Sequence, residues 1–262
     1  MGSAGWIAGA RPRARPGDER AEDDPARRPL PARRRRRDRA SRQRRPRGRS
    51  LSPVDRLLNS QLIGIVRLDD LEVALACARC AIEAGLEVIE VTFTMPGAAR
   101  AIERLRRDHP SALIGAGTVR SGSELEDAAA AGAQFLVAPG LNPELVEAAR
   151  RRGLPMLPGV FTASEVDAAL RCGVEVLKLF PAEPLGPAYM ASLLQPFPSA
   201  RFVPTGGVSA ANSAAYLKAG AVAVAMGSSL FPAGRIRSDG PGVVTPLVAE
   251  ALAAVRTVFR QN

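Results

Sequence analysis

The chain has 262 residues, with 36 basic and 26 acidic side chains and a formal net charge of +10. Residues 1–50 hold 17 Arg and six acidic residues, a net of +11, so the remainder is nearly neutral at −1. A basic excess confined to one end argues against a nucleic-acid-binding face on the rest of the chain, and no stretch is expected to approach the roughly 20 apolar residues of a membrane-spanning helix. Three cysteines, an odd number, do not make a disulfide framework.

The segment 1–50 is rich in Arg and Pro and has almost no large apolar residues, so it cannot bury enough surface to offset the entropy of ordering. It is expected to be a disordered basic tail. Acids at Asp18, Glu19, Glu22, Asp23 and Asp24 are unlike a transit peptide, and the apolar run of an export signal is missing. The expected compartment is a reducing cytoplasm. Arg, Ala, Pro and Gly also dominate when GC-rich DNA upstream of a gene is translated, which puts the true start near Leu51. That reading ranks first, an idle tail second, and a polyanion-binding arm through Arg33 to Arg37 third.

From residue 62 short apolar runs alternate with longer stretches of helical period. Strands are expected near Leu62–Arg67, Val88–Thr92, Leu113–Gly117, Phe135–Ala138, Met156–Gly159, Val176–Phe180, Arg201–Thr205 and Ala223–Gly227. After the first strand, Leu71, Ala74, Leu75, Ala78, Ala81 and Ile82 fall on one helical face. Cys77 and Cys80 are spaced like half a zinc site, yet they lie inside this helical pattern and no second pair follows, so structural burial is expected. Gly85, Gly132, Gly153, Gly173 and Gly220 each stand just before a strand, where a glycine ends a helix in the left-handed conformation. A last helix is expected over about Thr245–Phe259. Eight such rounds, one per 20–25 residues or so, predict an α/β fold of the (β/α)8 TIM-barrel type over residues 53–262.

Strands covered on both faces should be apolar, so their polar exceptions are informative. Arg67, Glu90, Thr92, Thr118, Lys178, Thr205 and Ser228 all fall at C-terminal strand ends, where a β/α barrel builds its active site. The chain has 34 Arg and only two Lys, at 178 and 218. Lys178 stands in the apolar run Val176-Leu177-Lys178-Leu179-Phe180-Pro181, where a charge is costly to bury. An Arg cannot lose its proton, whereas a desolvated Lys can become a neutral amine and attack a carbonyl. A Lys salt-bridged or reaching for solvent weighs equally on these residues alone. Glu90, among Val88, Ile89 and Val91, suits a carboxyl whose pKa burial raises, able to take and return protons; a structural partner for Lys178 is the alternative. Thr205-Gly206-Gly207-Val208 after strand seven and Gly227-Ser228-Ser229 after strand eight are candidate phosphate seats, because glycine-loop amides bind phosphate there in this fold. Two tight turns would give the same letters.

Five segments carry a resemblance: Val88-Ile89-Glu90-Val91-Thr92, Ile114-Gly115-Ala116-Gly117-Thr118-Val119, Gly132-Ala133-Gln134-Phe135 with Ala138-Pro139-Gly140, Lys178-Leu179-Phe180-Pro181-Ala182-Glu183, and Pro204-Thr205-Gly206-Gly207-Val208. In this order, from about residue 53 to 235, the chain closely resembles the 2-keto-3-deoxy-6-phosphogluconate / 4-hydroxy-2-oxoglutarate aldolase family. The resemblance implies a metal-independent class I aldolase with no cofactor, commonly a homotrimer, that yields pyruvate and glyceraldehyde 3-phosphate. By the resemblance Lys178 matches the Schiff-base lysine and Glu90 the general acid/base. Arg67, Thr118 and Pro139 match the pyruvate end, and Gly206, Gly207, Gly227 and Ser228 the phosphate end, with Thr205 beside them. One departure stands out: where many members carry an Arg two residues after the Thr of the Glu-Val-Thr motif, this chain has Thr94. Thr205 resembles the phosphogluconate type rather than the phosphogalactonate type. 4-Hydroxy-2-oxoglutarate is the rival substrate, and a polyanion-binding protein working through its tail is the rival from another class. His109, the only histidine, matches no catalytic position. Deleting residues 1–50 is expected to leave aldol cleavage unchanged in a steady-state assay; loss of polyanion binding in the same variant would give the tail a second role.

Overall fold

The computed structural model describes residues 51–259, and the expectations for residues 1–50 lie outside them. Strands β1 (Leu62–Val66), β2 (Val88–Thr92), β3 (Leu113–Gly117), β4 (Leu136–Val137), β5 (Met156–Leu157), β6 (Gly159–Val160), β7 (Leu177–Leu179), β8 (Phe202–Pro204) and β9 (Val224–Met226) alternate with helices. A first helix, α1 (Pro53–Ser60), precedes β1; α2 (Leu71–Glu83), α3 (Ala98–Asp108), α4 (Gly122–Ala130), α5 (Pro143–Arg151), α6 (Ala163–Arg171), α7 (Gly186–Leu194), α8 (Ala210–Lys218), α9 (Ala233–Asp239) and α10 (Val244–Phe259) follow in turn.

All strand pairs are parallel. They form a six-stranded run in the order β5-β4-β3-β2-β1-β9 and a three-stranded run β6-β7-β8. A bridge between Thr205 and Ala225 links the end of β8 to β9, and the sheet curls. The strand expected over Met156–Gly159 is instead two short ones, β5 and β6, separated by Pro158. Proline has no N–H to give to a ladder, which accounts for the break, but its carbonyl still accepts from the Lys178 amide at 3.0 Å. β2 and β3 have the expected bounds. β4, β7, β8 and β9 are each one residue shorter at both ends, where the chain leaves its neighbours for the loops.

Side chains alternate across a strand, and the sheet therefore faces two separate cores. Leu62, Ile89, Val91, Ile114, Leu136, Leu177 and Phe202 pack outward against the helices. Ile65, Val88, Leu113, Val137, Val176 and Val203 form a second core on the other face, closed at the N-terminal strand ends by Val54 and Leu57 of α1. In α2 the expected face holds at Ala74, Leu75, Ala78 and Ala81, while Leu71 and Ile82 are half-buried. Cys77 is buried and unpaired; burial first, and Cys80 second, push its thiol up to about 11, so it packs as a small apolar group.

The five expected helix-ending glycines all have positive φ, between 67° and 104°. Helix starts are also written in the sequence: Ser121 with Glu124 and Thr162 with Glu165 form capping boxes. The C-terminal segment corrects one expectation. Pro241–Val258 is, among the described residues, a helical stretch long and apolar enough by composition to cross a membrane. Its residues Val244, Val248, Ala251 and Val255 are buried, and α10 packs against both α8 and α2, so more than one stripe of the helix is apolar.

Gly159 sits where a Cβ would overlap the Pro139 carbonyl. Because that obstacle is backbone, Gly159→Ala is expected to lower stability by about 1–3 kcal/mol, read as a lower urea midpoint with an unchanged slope.

Candidate active site

The polar strand residues fall on the same face as the second core. On β2, Glu90 follows Val88 by two residues; on β7, Lys178 follows Val176; on β8, Thr205 follows Val203; beyond β1, Arg67 follows Ile65. The two-residue period therefore sets a polar group directly above the apolar inner residue in each of these four rows, and on β2 Thr92 continues the polar row beyond Glu90. Lys178 is paired in register with Gly159 on one side and Val203 on the other.

A cavity of about 260 Å³ opens at these ends. Arg67, Lys178, Thr205, Gly206, Gly207, Gly227 and Ser228 line it, all expected from the sequence. Phe180 and Val208 line it too. Phe180 was not singled out, although it lies two residues beyond Lys178 on the same strand face. Glu90, Thr118 and Pro139 stand outside that lining: Glu90 is buried within β2, Thr118 is half-buried just after β3, with a φ of 58° that is unusual for a β-branched residue, and Pro139 is exposed. A second cavity of about 360 Å³ at the opposite strand ends, near Val54, Met156 and Val176, has none of these inner-row polar groups.

Lys178 is only 4% exposed, and its Nζ stands 5.0 Å from the centre of the Phe180 ring. Glu90 is 1% exposed, and its Oε1 is buried without a hydrogen-bond partner. Ion pairs among the described residues join Arg to surface carboxylates and include neither Lys178 nor Glu90. The salt-bridge alternative for these two residues therefore finds no direct contact. Burial raises the Glu90 pKa above the ordinary carboxylate value, while the nearby charges of Lys178 and Arg67 pull it back down. A carboxyl whose pKa burial raises can give a proton to a departing oxygen and take one back.

Room for Glu90 comes from Gly117, which the sequence reading passed over. A Cβ there would overlap the Glu90 carboxyl, and β3 pairs with β2 along its whole length. Thr94, at the position where many relatives carry Arg, is exposed and donates to the Thr92 hydroxyl at 3.1 Å. Thr92 in turn donates to the Val66 carbonyl at 3.3 Å, which ties the rim of β2 to that of β1.

A family model described as KDPG and KHG aldolase matches residues 54–246. The chain is 40% identical over 196 residues to the 2-dehydro-3-deoxy-phosphogluconate aldolase of Treponema pallidum, covering 74% of this chain and 93% of that one. It is 34% identical over 197 residues to the KHG/KDPG aldolase of Escherichia coli, covering 75% and 92%. The structure of KDPG aldolase from Legionella pneumophila, with pyruvate captured at low pH as a covalent carbinolamine intermediate, matches with a TM-score of 0.72 at 33% identity over 77% of this chain and 98% of that one. Fold and relatives together define an aldolase, a carbon–carbon lyase acting on a small molecule. The chain belongs to the KDPG and KHG aldolase family.

Because the folded pKa of Glu90 is raised, the carboxyl contributes stability that is complete below the unfolded value of about 4.3 and is lost as the pH rises through the folded value. Glu90→Gln, which keeps the shape but never ionises, is therefore expected to melt above the wild type at pH 8. Thermal scans should show that gap closing as the pH falls toward about 4.3; a gap independent of pH would contradict the raised value.

Proposed function

We propose that the chain is a class I aldolase that cleaves 2-keto-3-deoxy-6-phosphogluconate to pyruvate and glyceraldehyde 3-phosphate through a Schiff base on Lys178. The observation that carries this reading is a buried lysine without an ionic partner, set in the same inner layer as a buried carboxyl with an unpartnered oxygen. Covalent capture of pyruvate in the Legionella relative supports it. The parallel strands, the single break at Pro158 and the bridge from Thr205 to Ala225 support closure of eight strands into a TIM barrel, with β5 and β6 as two halves of the fifth.

The Lys178 amine adds to the C2 ketone to form a carbinolamine. Glu90, directly or through a water, donates the proton that lets hydroxide leave as water, and an iminium results. The C3–C4 bond then breaks with its electron pair flowing into the iminium nitrogen, and Glu90 takes the C4 hydroxyl proton as the aldehyde departs. Protonation of the enamine at C3 and hydrolysis release pyruvate and restore the amine. The iminium supplies the electron sink, so this cycle needs no metal. Arg67 faces the carboxylate end of the substrate, with Thr118 and Pro139 at the same end. Thr205, Gly206, Gly207, Gly227 and Ser228 hold the phosphate end.

4-Hydroxy-2-oxoglutarate is the second substrate to be weighed, because the Escherichia coli relative carries both names. Glycine loops beside the cavity favour the phosphorylated one. Thr205 favours the gluconate over the galactonate epimer. A homotrimer in the cytoplasm completes the reading, and light scattering on the purified chain tests the assembly.

Borohydride reduction in the presence of pyruvate is expected to add a pyruvate-sized mass that peptide mapping places on Lys178. Lys178→Ala should lose both the adduct and essentially all cleavage, and Glu90→Gln should lose about 10²- to 10⁴-fold in kcat. Near wild-type turnover by Lys178→Ala would sink the imine assignment.

A further inference from the structure

Four consecutive carbonyls, from Thr205 to Val208, are each taken by a donor from outside the loop. The Thr205 carbonyl accepts from the Ala182 amide at 2.9 Å and the Gly206 carbonyl from the Glu183 amide at 3.1 Å. Asn212 Nδ2 donates to the Gly207 carbonyl at 2.9 Å, and Ser229 Oγ to the Val208 carbonyl at 2.8 Å. A trans peptide is planar, so a carbonyl pinned on one side turns the N–H of the next residue to the other. Positive φ at Gly206 and Gly207, 91° and 73°, bends the chain between these planes. Gly206, Gly207 and Val208 all line the cavity, and among the described residues the amides of Gly207 and Val208 donate to no protein acceptor. Successive amides turned to one side of a bend make an anion-binding concavity.

Two of the four clamps are backbone and follow from the fold. The other two are side chains that do not line the cavity. Asn212 also accepts from the Ser209 amide at 2.9 Å, so it is held at both ends in the first turn of α8. Ser229 reaches across 21 residues of sequence, from the loop after β9 to the loop after β8, and is the half-buried strut between the two glycine seats. We infer that Ser229, with Asn212, is a positioning residue for the phosphate end of the substrate: Asn212 fixes the peptide plane that aims the Val208 amide, and the Ser229 hydroxyl, holding the next carbonyl, ties this loop to the loop after β9 and sets the width between the two seats. This rests on the phosphate-seat reading above.

Steady-state kinetics on 2-keto-3-deoxy-6-phosphogluconate and on unphosphorylated 4-hydroxy-2-oxoglutarate, side by side, test it. Ser229→Ala is expected to raise KM for the phosphorylated substrate about 5- to 10-fold, the effect of one lost hydrogen bond, with kcat little changed. It should weaken competition by inorganic phosphate by the same factor and leave kcat/KM for the unphosphorylated substrate within about two-fold. Ser229→Thr, which keeps the hydroxyl, is expected to restore the KM. An equal loss on both substrates, or none on either, overturns the positioning role. A wild-type chain that gains nothing from the phosphate group and is not inhibited by inorganic phosphate overturns the seat itself, which separates the two failures.

Discussion

Two ionisable groups are buried at one end of a sheet whose both faces are otherwise apolar, and the surrounding structure is arranged to make that tolerable. An isolated charge costs several kcal/mol or more to bury, and neither Lys178 nor Glu90 recovers that cost through a direct ion pair. The strands set them one layer above Val88, Val176 and Val203, which fill the core below, and Lys178 opens from that layer onto the cavity. Glu90 meets the remaining cost by shifting toward its neutral form. Its Oε1 is left buried without a hydrogen-bond partner.

Small residues do much of the positioning. Gly117 gives Glu90 its space, and Gly159 lets the loop bearing Pro139 lie against the strand next to Lys178. At the other side of the mouth, positive φ at Gly206 and Gly207 would strain any residue with a Cβ, and Gly207 also accommodates the Glu183 side chain. The polar groups mark the candidate site, and these absences of side chain fix where those groups stand.

Much of this was legible in the sequence because it depends on local period and local backbone. The helix-ending glycines, the limits of β2 and β3, and the shared inner face of Lys178, Glu90 and Thr205 follow from spacing alone. Its limits appear where a third dimension enters. Pro158 looked like part of one strand because the apolar run continues through it, and only the missing N–H splits the ladder. The apolar stretch of α10 looked ordinary until two neighbouring helices accounted for its breadth. Phe180 shares the face of Lys178 and could have been found by counting in twos. Gly117 and Ser229 could not, since their partners lie 27 and 21 residues away along the chain and nothing in the intervening letters announces the contact.

On β2 and β7 the inner rows change from aliphatic to polar within one or two residues of the strand ends. The polar groups occupy a shallow layer at the mouth, while what makes the chain collapse lies in the storeys beneath. An exposed residue of the mouth such as Thr94 can therefore be exchanged without touching the rows on which folding depends.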